Sequence, residues 1–205
     1  MDLKIKICGI TNLEDAIVAV EAGADALGFM FYDKSPRQVS VEKVAQIVRE
    51  LPTWMLKVGV FVNPDPALVM TALGDCGLNL LQFHGDESPE FCASFGVMSM
   101  KAFRVKDAAS LEPMKNYRTD VFLLDSYVPG QLGGTGEKFN WPLAVEAKKF
   151  GKPIFLAGGL TTQNVAEAIH EVRPFGVDVS SGVEISPGKK DPAKIWKFIE
   201  VARKA

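Results

Sequence analysis

The stretch IFLAGGLTTQNVAEAIHEVRPFGVDVSSGV, residues 154–183, contains the alternation that decides the fold. Two short apolar runs, residues 154–159 and 177–181, lie on either side of a segment with helical spacing. In that segment apolar residues recur at i, i+3, i+4 and i+7: Val165, Ala168, Ile169 and Val172. Strands that are apolar on both faces are typical of a parallel sheet covered by helices. The stretch therefore predicts a strand, a helix and a second, parallel strand.

The same alternation extends over the rest of the chain. Six further apolar runs, each followed by a connecting segment, lie at residues 3–8, 26–31, 57–62, 80–84, 101–104 and 121–125. The loops after the second and sixth runs are the longest, and Pro113 shortens the helix expected after the fifth. Eight such units predict an α/β fold, a single-domain (β/α)8 TIM barrel over residues 1–205 with a parallel eight-stranded core. An open doubly wound sheet is the alternative that the pattern leaves open.

Capping side chains mark where three of the helices begin. Thr11, with Glu14 three residues later, has the spacing of a capping box, in which hydroxyl and carboxylate each accept a free backbone N–H. Ser88 and Asp191 each precede a proline, which is favoured at the first position of a helix. We therefore expect Thr11, Ser88 and Asp191 to be N-caps.

The composition excludes several classes of protein. Lys and Arg number 23 against 25 Asp and Glu, a formal net charge of −2, whereas nucleic-acid binders carry a clustered basic excess. No apolar run approaches 18 residues and the amino terminus lacks a signal-peptide core, so we expect neither membrane nor secreted protein. Three cysteines are too few for a disulfide framework, which favours the cytoplasm. Two histidines and no C-x-x-C predict that no metal is bound.

Polar residues follow the apolar strands at their carboxyl ends, where barrel active sites are built. The glycine-rich ends of the last two strands lie where barrels often bind phosphate, because glycine lets backbone N–H groups approach an anion closely. Neither a P-loop nor a dinucleotide fingerprint is present, which argues against a nucleotide. The residues expected to bind a phosphorylated ligand are Gly158, Gly159, Ser180, Ser181 and Gly182.

Cys8 and Asp125 are the candidate catalytic residues. Strand alternation puts Lys6 and Cys8 on one face, towards the barrel interior, and a nearby positive charge favours the reactive thiolate. Asp125 closes an apolar strand, where burial raises the pKa of a carboxyl group, as a general acid needs. Asp178 also faces inward on the neighbouring eighth strand, so we expect it to pair with Lys6. The alternatives are a buried core cysteine, a capping aspartate and separate solvation of Lys6 and Asp178.

Two more side chains at the strand ends are candidates for substrate binding. Arg37 lies in the loop after the second strand, and its planar fork suits a substrate carboxylate. His84 ends the fourth strand. The alternatives are a solvated loop arginine and a histidine with a structural role.

Motifs spread in order over the whole chain resemble the phosphoribosylanthranilate isomerase family. They are KICGIT (6–11), GF (28–29), SPR (35–37), GVFVN (59–63), LQFHG (81–85), LDS (124–126), GGTG (133–136), LAGGL (156–160) and VSSGVE (179–184). One departure is Asn140, between Phe139 and Trp141, where the family usually has aspartate. Since asparagine also caps helices, the departure puts little in doubt.

The resemblance implies a reaction and a role for each candidate. The reaction is the Amadori rearrangement of N-(5′-phosphoribosyl)anthranilate to 1-(2-carboxyphenylamino)-1-deoxyribulose 5-phosphate, in tryptophan biosynthesis and without a cofactor. Asp125 would protonate the furanose ring oxygen as general acid, and Cys8 would remove the C2′ proton as general base. Arg37 would hold the anthranilate carboxylate, with His84 and Asp178 also in the substrate site. Gly134 joins the phosphate-binding set, and the partner is a small phosphosugar, bound by a monomer or homodimer.

Three other functions would produce part of this pattern. A histidine-pathway phosphoribosyl isomerase runs the same rearrangement, but that family carries an aspartate at each catalytic strand end, whereas the first strand here ends in Cys8. A non-catalytic phosphosugar-binding barrel would keep the glycines without needing both Cys8 and Asp125. A metal-dependent epimerase needs histidines at several strand ends, and here only His84 qualifies.

Overall fold

The computed structural model describes residues 2–126 and 141–205. Within these residues, parallel strands close a barrel in the order β1 to β8. They are β1 (Lys4–Cys8), β2 (Ala26–Met30), β3 (Leu56–Phe61), β4 (Leu80–Phe83), β5 (Met98–Val105), β6 (Val121–Ser126), β7 (Ile154–Leu156) and β8 (Gly176–Val179). Because β1 pairs in parallel with both β2 and β8, the sheet is closed. The predicted (β/α)8 barrel is confirmed, and the open sheet is wrong.

Helices and short turns connect the strands on the outside of the barrel. The α-helices are α1 (Leu13–Glu21), α2 (Val41–Arg49), α3 (Pro66–Cys76), α4 (Pro89–Cys92), α5 (Trp141–Ala147), α6 (Val165–Val172) and α7 (Pro192–Lys204). A 3₁₀ segment that contains Pro113, Ala108–Asn116, connects β5 to β6, since proline disfavours a regular α-helix interior. Ser88 and Asp191 are the N-caps of α4 and α7, as the sequence predicts. In the described part of the chain, no helix has the length and apolar character to cross a membrane.

Helix α1 does not have the N-cap that its sequence predicts. Asn12 is the N-cap, and its side chain accepts a hydrogen bond from the Asp15 backbone N–H at 2.8 Å. The Thr11 hydroxyl instead donates to the Gly188 carbonyl oxygen at 2.5 Å. The predicted capping box with Glu14 is therefore wrong, because a loop distant in sequence uses the hydroxyl that the box requires.

Two apolar cores lie on the two sides of the sheet. The larger core packs the outward faces of the strands, such as Ile5 and Ile7 of β1, against the helices. The smaller core fills the barrel interior with Cys8, Ala26, Val58, Val60, Leu80, Met100, Ala102, Val121, Leu123, Phe155 and Ala157. Alternate residues of a strand point to opposite faces of the sheet. Polar side chains occupy inward positions near the carboxyl ends of the strands, which this apolar core does not fill.

A short hairpin extends the loop between β8 and α7. Its strands are β9 (Glu184–Ser186) and β10 (Lys189–Lys190), which pair antiparallel. The 3₁₀ turn Ser181–Val183 links the hairpin to the end of β8. Through this turn and hairpin, the last strand-to-helix loop reaches across the carboxyl end of β1.

Candidate active site

Cys8, Lys6 and Asp178 form a buried cluster at the seam where the barrel closes. Lys6 is fully buried, and its Nζ lies 2.9 Å from the Asp178 Oδ1. The two residues meet because the β1–β8 register pairs Lys6 directly with Asp178. Cys8 lies two residues along the same face of β1, and a Cβ atom on Gly28 would be 2.8 Å from Cys8 Sγ and 2.9 Å from Lys6 Nζ, so the thiol and the ammonium are neighbours. The predicted Lys6–Asp178 pair is confirmed, and separate solvation of the two groups is wrong.

The charges in this cluster act on the Cys8 thiol in opposite directions. Burial raises the pKa of Cys8, the Lys6 ammonium lowers it, and the Asp178 carboxylate raises it further. Burial by itself would lower the pKa of Lys6, but Asp178 and Cys8 more than offset that effect and raise it. Lys6 is therefore a permanent cation next to the thiol.

Asp125 lies at the carboxyl end of β6 and is 4% exposed. Its inward direction follows from alternation, because Val121 and Leu123 of the same strand belong to the interior core. The Asp125 Oδ2 lies 3.2 Å from His84 Nε2. On the barrel, β6 and β1 are separated by β7 and β8, so Asp125 and Cys8 approach the barrel mouth from well-separated directions.

His84 connects Asp125 to two further polar side chains. Its Nδ1 lies 3.1 Å from the Gln82 side-chain nitrogen, and its backbone carbonyl accepts from Arg104 Nη2 at 3.0 Å. His84 Nδ1 therefore faces the Gln82 amide and Nε2 faces Asp125, so each ring nitrogen contacts one polar side chain. Gln82 Oε1 and Arg104 Nε are buried with no hydrogen-bond partner in the described part of the chain.

Arg37 is held by a carboxylate from the other end of the sequence. Its Nε and Nη2 donate to the two carboxylate oxygens of Glu184, at 2.9 Å and 2.7 Å. This bidentate pair uses one edge of the guanidinium, and Nη1 lies outside it. Arg37 is thus a fixed side chain, and the alternative of a solvated loop arginine is wrong.

Lys190 is a buried cation that sequence reasoning missed. Its Nζ donates to Glu184 Oε1 at 2.9 Å, to the Cys8 carbonyl oxygen at 2.5 Å and to the Ser180 carbonyl oxygen at 3.2 Å. Burial lowers the pKa of Lys190, although Glu184 acts in the opposite direction. Burial raises the pKa of Glu184, but its bonds with Arg37 and Lys190 outweigh that effect and lower it.

Glu184 and Lys190 differ in the signal they leave in the sequence. Glu184 stands in the VSSGVE motif, so the motif itself marked the position. Lys190 lies in the polar segment SPGKKD, residues 186–191, which reads as an ordinary solvent-exposed loop. Its burial arises only when the hairpin folds over β1.

The loops after β7 and β8 pack directly on each other at the candidate phosphate site. A Cβ atom at Gly182 would overlap the carbonyl oxygen of Leu160, so only glycine allows this approach. Gly158 and Gly159 directly precede Leu160, and the two glycine-rich segments therefore lie side by side. The predicted phosphate-binding residue Gly134 lies outside the described residues.

Ser180 and Ser181 lie between β8 and the hairpin. Ser181 begins the 3₁₀ turn, and the Ser180 carbonyl accepts from Lys190. The Ser180 hydroxyl and the Arg37 side chain both approach the backbone of Gly9. The candidate phosphate loop, the candidate carboxylate-binding arginine and the end of β1 are therefore in direct contact.

No cluster of three or more His, Cys, Asp and Glu side chains within residues 2–126 and 141–205 could hold a metal ion. The polar atoms that converge at the barrel mouth are instead a thiol, carboxylates, an imidazole, ammonium groups and a guanidinium. Such a set can donate and remove protons and bind anions.

Comparisons with known proteins identify a family over nearly the whole chain. The model of the N-(5′-phosphoribosyl)anthranilate (PRA) isomerase family matches residues 5–201. The N-(5′-phosphoribosyl)anthranilate isomerase of Geotalea uraniireducens is 56% identical over 200 residues, which cover 98% of each chain.

Two solved structures of similar proteins cover 99% of this chain and 100% of their own. A phosphoribosyl anthranilate isomerase in complex with reduced 1-(o-carboxyphenylamino)-1-deoxyribulose 5-phosphate has a TM-score of 0.90 and 42% identity. Mutually generated monomers of the dimeric enzyme from Thermotoga maritima have a TM-score of 0.89 and 42% identity.

Proposed function

This chain belongs to the N-(5′-phosphoribosyl)anthranilate isomerase family, and we propose from that premise how its residues divide the reaction. The activity is the Amadori rearrangement of N-(5′-phosphoribosyl)anthranilate, an aldose–ketose isomerisation in tryptophan biosynthesis. Family membership decides for this activity against the histidine-pathway isomerase and the non-catalytic barrel that the sequence left open.

Asp125 is the general acid and Cys8 the general base in our proposal. Asp125 gives its proton to the furanose ring oxygen, the C1′–O bond breaks, and the nitrogen lone pair forms a Schiff base. Cys8 then takes the C2′ proton, and the electron pair of that bond forms the enolamine, which tautomerises to the ketone. The observation that carries this assignment is that both groups are buried, point inward, and lie at the carboxyl ends of strands separated by two others.

Arg37 and the glycine-rich loops bind the two charged ends of the substrate in this proposal. Glu184 fixes one edge of the Arg37 guanidinium, which supports a role for the remaining Nη1 in holding the anthranilate carboxylate. Gly158, Gly159, Ser180, Ser181 and Gly182 take the phosphate, a role supported by the contact between their loops. The phosphate role of Gly134 stays a prediction.

His84 and Asp178 keep their predicted place in the substrate site as a proposal. Each makes a contact within the protein, His84 with Asp125 and Asp178 with Lys6. We propose that these contacts orient the catalytic groups towards the sugar. Direct contact of either side chain with substrate stays a prediction.

Two variants test the catalytic assignment. Cys8→Ala and Asp125→Asn should each lower kcat by about 10²–10⁴-fold, the usual contribution of a positioned acid or base. The measurement is the loss of substrate fluorescence on turnover, with folding checked by circular dichroism. Cys76→Ala is the matched control, because Cys76 is a buried cysteine of α3 outside the site. Near-full activity in Cys8→Ala or Asp125→Asn would refute the role of that residue.

We further propose a single catalytic domain that forms a homodimer in the cytoplasm. An apolar depression of about 430 Å³ lies at the amino-terminal end of the barrel, lined by Trp54, Leu56, Met98 and Phe175 among others. Trp54 is 63% and Met98 49% exposed, and a large exposed apolar patch is typical of an interface. A dimeric relative at 42% identity supports the same assembly.

The three cysteines, all free, support a reducing compartment such as the cytoplasm.

A further inference from the structure

We propose that Lys6 is the counter-ion that stabilises the Cys8 thiolate, and that Asp178 limits this stabilisation by competing for the same ammonium group. The inference rests on the proposed role of Cys8 as general base. It assigns a positioning role to two residues that act through Cys8 on the proton at C2′. Neither residue needs to touch the substrate for this role.

The first support is that the strand register forces the three groups together. Lys6 pairs with Asp178 across the β1–β8 seam, and Cys8 follows two residues later on the same face. Lys6 Nζ lies 2.9 Å from Asp178 Oδ1, and the ammonium interacts electrostatically with the neighbouring Cys8 thiol. One ammonium group is therefore shared by two side chains that can be negatively charged, Asp178 and Cys8. Its interaction with either side chain weakens its interaction with the other.

The second support is burial. Lys6 is 0% exposed, Cys8 6% and Asp178 8%. Burying an ammonium group away from water is unfavourable unless the group is paired, and Asp178 provides that partner for Lys6. In this low-dielectric setting an ammonium group affects the thiol much more strongly than it would on the surface.

The third support is the space that Gly28 leaves for both groups. Gly28 pairs with Cys8 across the β1–β2 ladder. A Cβ at this position would lie 2.8 Å from Cys8 Sγ and 2.9 Å from Lys6 Nζ. These distances are shorter than real Cβ contacts, so the neighbouring strand carries no side chain where the ammonium and thiol lie. The Lys6–Cys8 contact therefore depends on glycine in β2.

Other charged groups face Cys8, but they are engaged elsewhere. Lys190 of β10 lowers the pKa of Cys8, yet its Nζ donates to the Cys8 carbonyl and pairs with Glu184. Arg37 also interacts with Cys8, and its bidentate partner is the same carboxylate. Of these cations, Lys6 has the largest effect in lowering the pKa of Cys8.

The test measures the Cys8 thiol directly rather than turnover. In a Cys76→Ala, Cys92→Ala background Cys8 is the single thiol, and its rate of alkylation by iodoacetamide against pH reports its midpoint. Lys6→Met should raise that midpoint by a unit or more, so that about tenfold less thiolate forms at a pH below it. Asp178→Asn should lower the midpoint, because it releases the ammonium for the thiol.

Lys101→Met is the matched control. Lys101 is also a buried lysine paired with a carboxylate, Glu87, but its pair lies outside the barrel interior. This variant should leave the alkylation midpoint of Cys8 unchanged even if it lowers stability. A general loss of packing would act on both lysine variants alike, whereas the proposal requires opposite shifts in Lys6→Met and Asp178→Asn.

The outcomes separate this inference from the proposed function. If Lys6→Met fails to fold, the downward shift in Asp178→Asn decides the question alone. An unmoved midpoint in a folded Lys6→Met, or shifts in the same direction, overturns the inference. The acid limb of kcat/KM should follow the alkylation midpoint, because a general base acts deprotonated. If the midpoints shift as expected and this limb stays fixed, the counter-ion role stands and Cys8 is not the base.

Discussion

At the scale of single residues, Glu184 decides how Arg37 can act. A bidentate carboxylate fixes both the plane and the direction of a guanidinium group. Glu184 takes Nε and Nη2 of Arg37 and also binds Lys190. Because the loop after β2 supplies Arg37 and the loop after β8 supplies Glu184 and Lys190, the arginine is oriented by the folded barrel and not by its own loop. In the proposed site, this orientation directs Nη1 to the substrate carboxylate.

We expect Arg37→Ala and Glu184→Gln both to raise KM with a smaller effect on kcat. A hydrogen bond to a charged group contributes about 1.5–3 kcal/mol, so KM should rise roughly tenfold to a hundredfold in Arg37→Ala. Glu184→Gln should have part of that effect, because the amide cannot accept both guanidinium bonds. Steady-state kinetics on the two single variants and the double variant would measure their coupling.

The control for this pair is Glu200→Gln, which removes an exposed carboxylate of α7 that pairs with neighbouring lysines. It should leave KM unchanged. Strict additivity of Arg37→Ala and Glu184→Gln would mean that the carboxylate does not act through the arginine. An unchanged KM in Arg37→Ala would argue against the carboxylate contact altogether.

At the scale of elements, the start of α1 shows how a distant loop changes a local assignment. Thr11 and Asn12 can both cap a helix, and the spacing to Glu14 favoured Thr11. The hairpin of β9 and β10 brings the Gly188 carbonyl to the Thr11 hydroxyl, and Asn12 takes the cap. The same contact ties the last strand-to-helix loop to the first, next to Cys8.

Asn12→Ala should lower the free energy of unfolding by about 1 kcal/mol, the usual cost of losing an N-cap side chain. The physical reason is that the Asp15 backbone N–H, which Asn12 satisfies at 2.8 Å, loses its partner. Urea unfolding followed by circular dichroism measures the change. Glu14→Gln is the control and should change stability little, because Glu14 is exposed. A larger loss in Glu14→Gln than in Asn12→Ala would restore the capping box.

At the scale of the whole molecule, the two ends of the barrel have different characters. The carboxyl end gathers buried ionisable groups, whereas the amino-terminal end exposes an apolar depression between strand beginnings such as Leu56 and Met98. Trp54, in the loop between α2 and β3, lies on its rim. The proposed dimer would bury this depression while leaving the catalytic end open to substrate.

Trp54→Glu should convert the proposed dimer to a monomer, because it would bury a carboxylate in an apolar interface. No polar partner there would offset the free energy of removing that charge from water. Light scattering during gel filtration measures the mass of each variant. Trp196→Glu is the matched control, since Trp196 is a half-exposed tryptophan on α7, away from the depression. A monomeric wild-type chain, or a dimer that survives Trp54→Glu, would contradict the proposed interface.

Two features of the sequence, the strand alternation and the count of eight strand–helix units, predicted most of the fold and part of the candidate site. Period-two spacing put Lys6 and Cys8 on one face of β1, and closure of the barrel made β8 its neighbour. The pairing of Lys6 with Asp178 followed from those two facts. The sequence also put Asp125 at the end of an apolar strand, and the interior packing of Val121 and Leu123 showed that it points inward.

Several contacts of the site could not be predicted in this way. His84 with Asp125, and Glu184 with both Arg37 and Lys190, join loops or strand ends with no common periodicity. Lys190 is buried although its own segment is polar. A side chain at a strand end can turn in several directions, and only the surrounding loops select one.

The sequence by itself determined which elements form, their order along the chain and which residues of a strand, such as Lys6 and Cys8, share a face. These properties depend on local hydrophobic spacing, which is written into consecutive residues. Only the tertiary structure decided the partners of ionisable groups in the loops and at the strand ends, such as the Glu184 carboxylate on Arg37 and His84 next to Asp125. The reason is that such pairs form between groups far apart in sequence, and their strength depends on a distance and a degree of burial that exist only after the barrel closes.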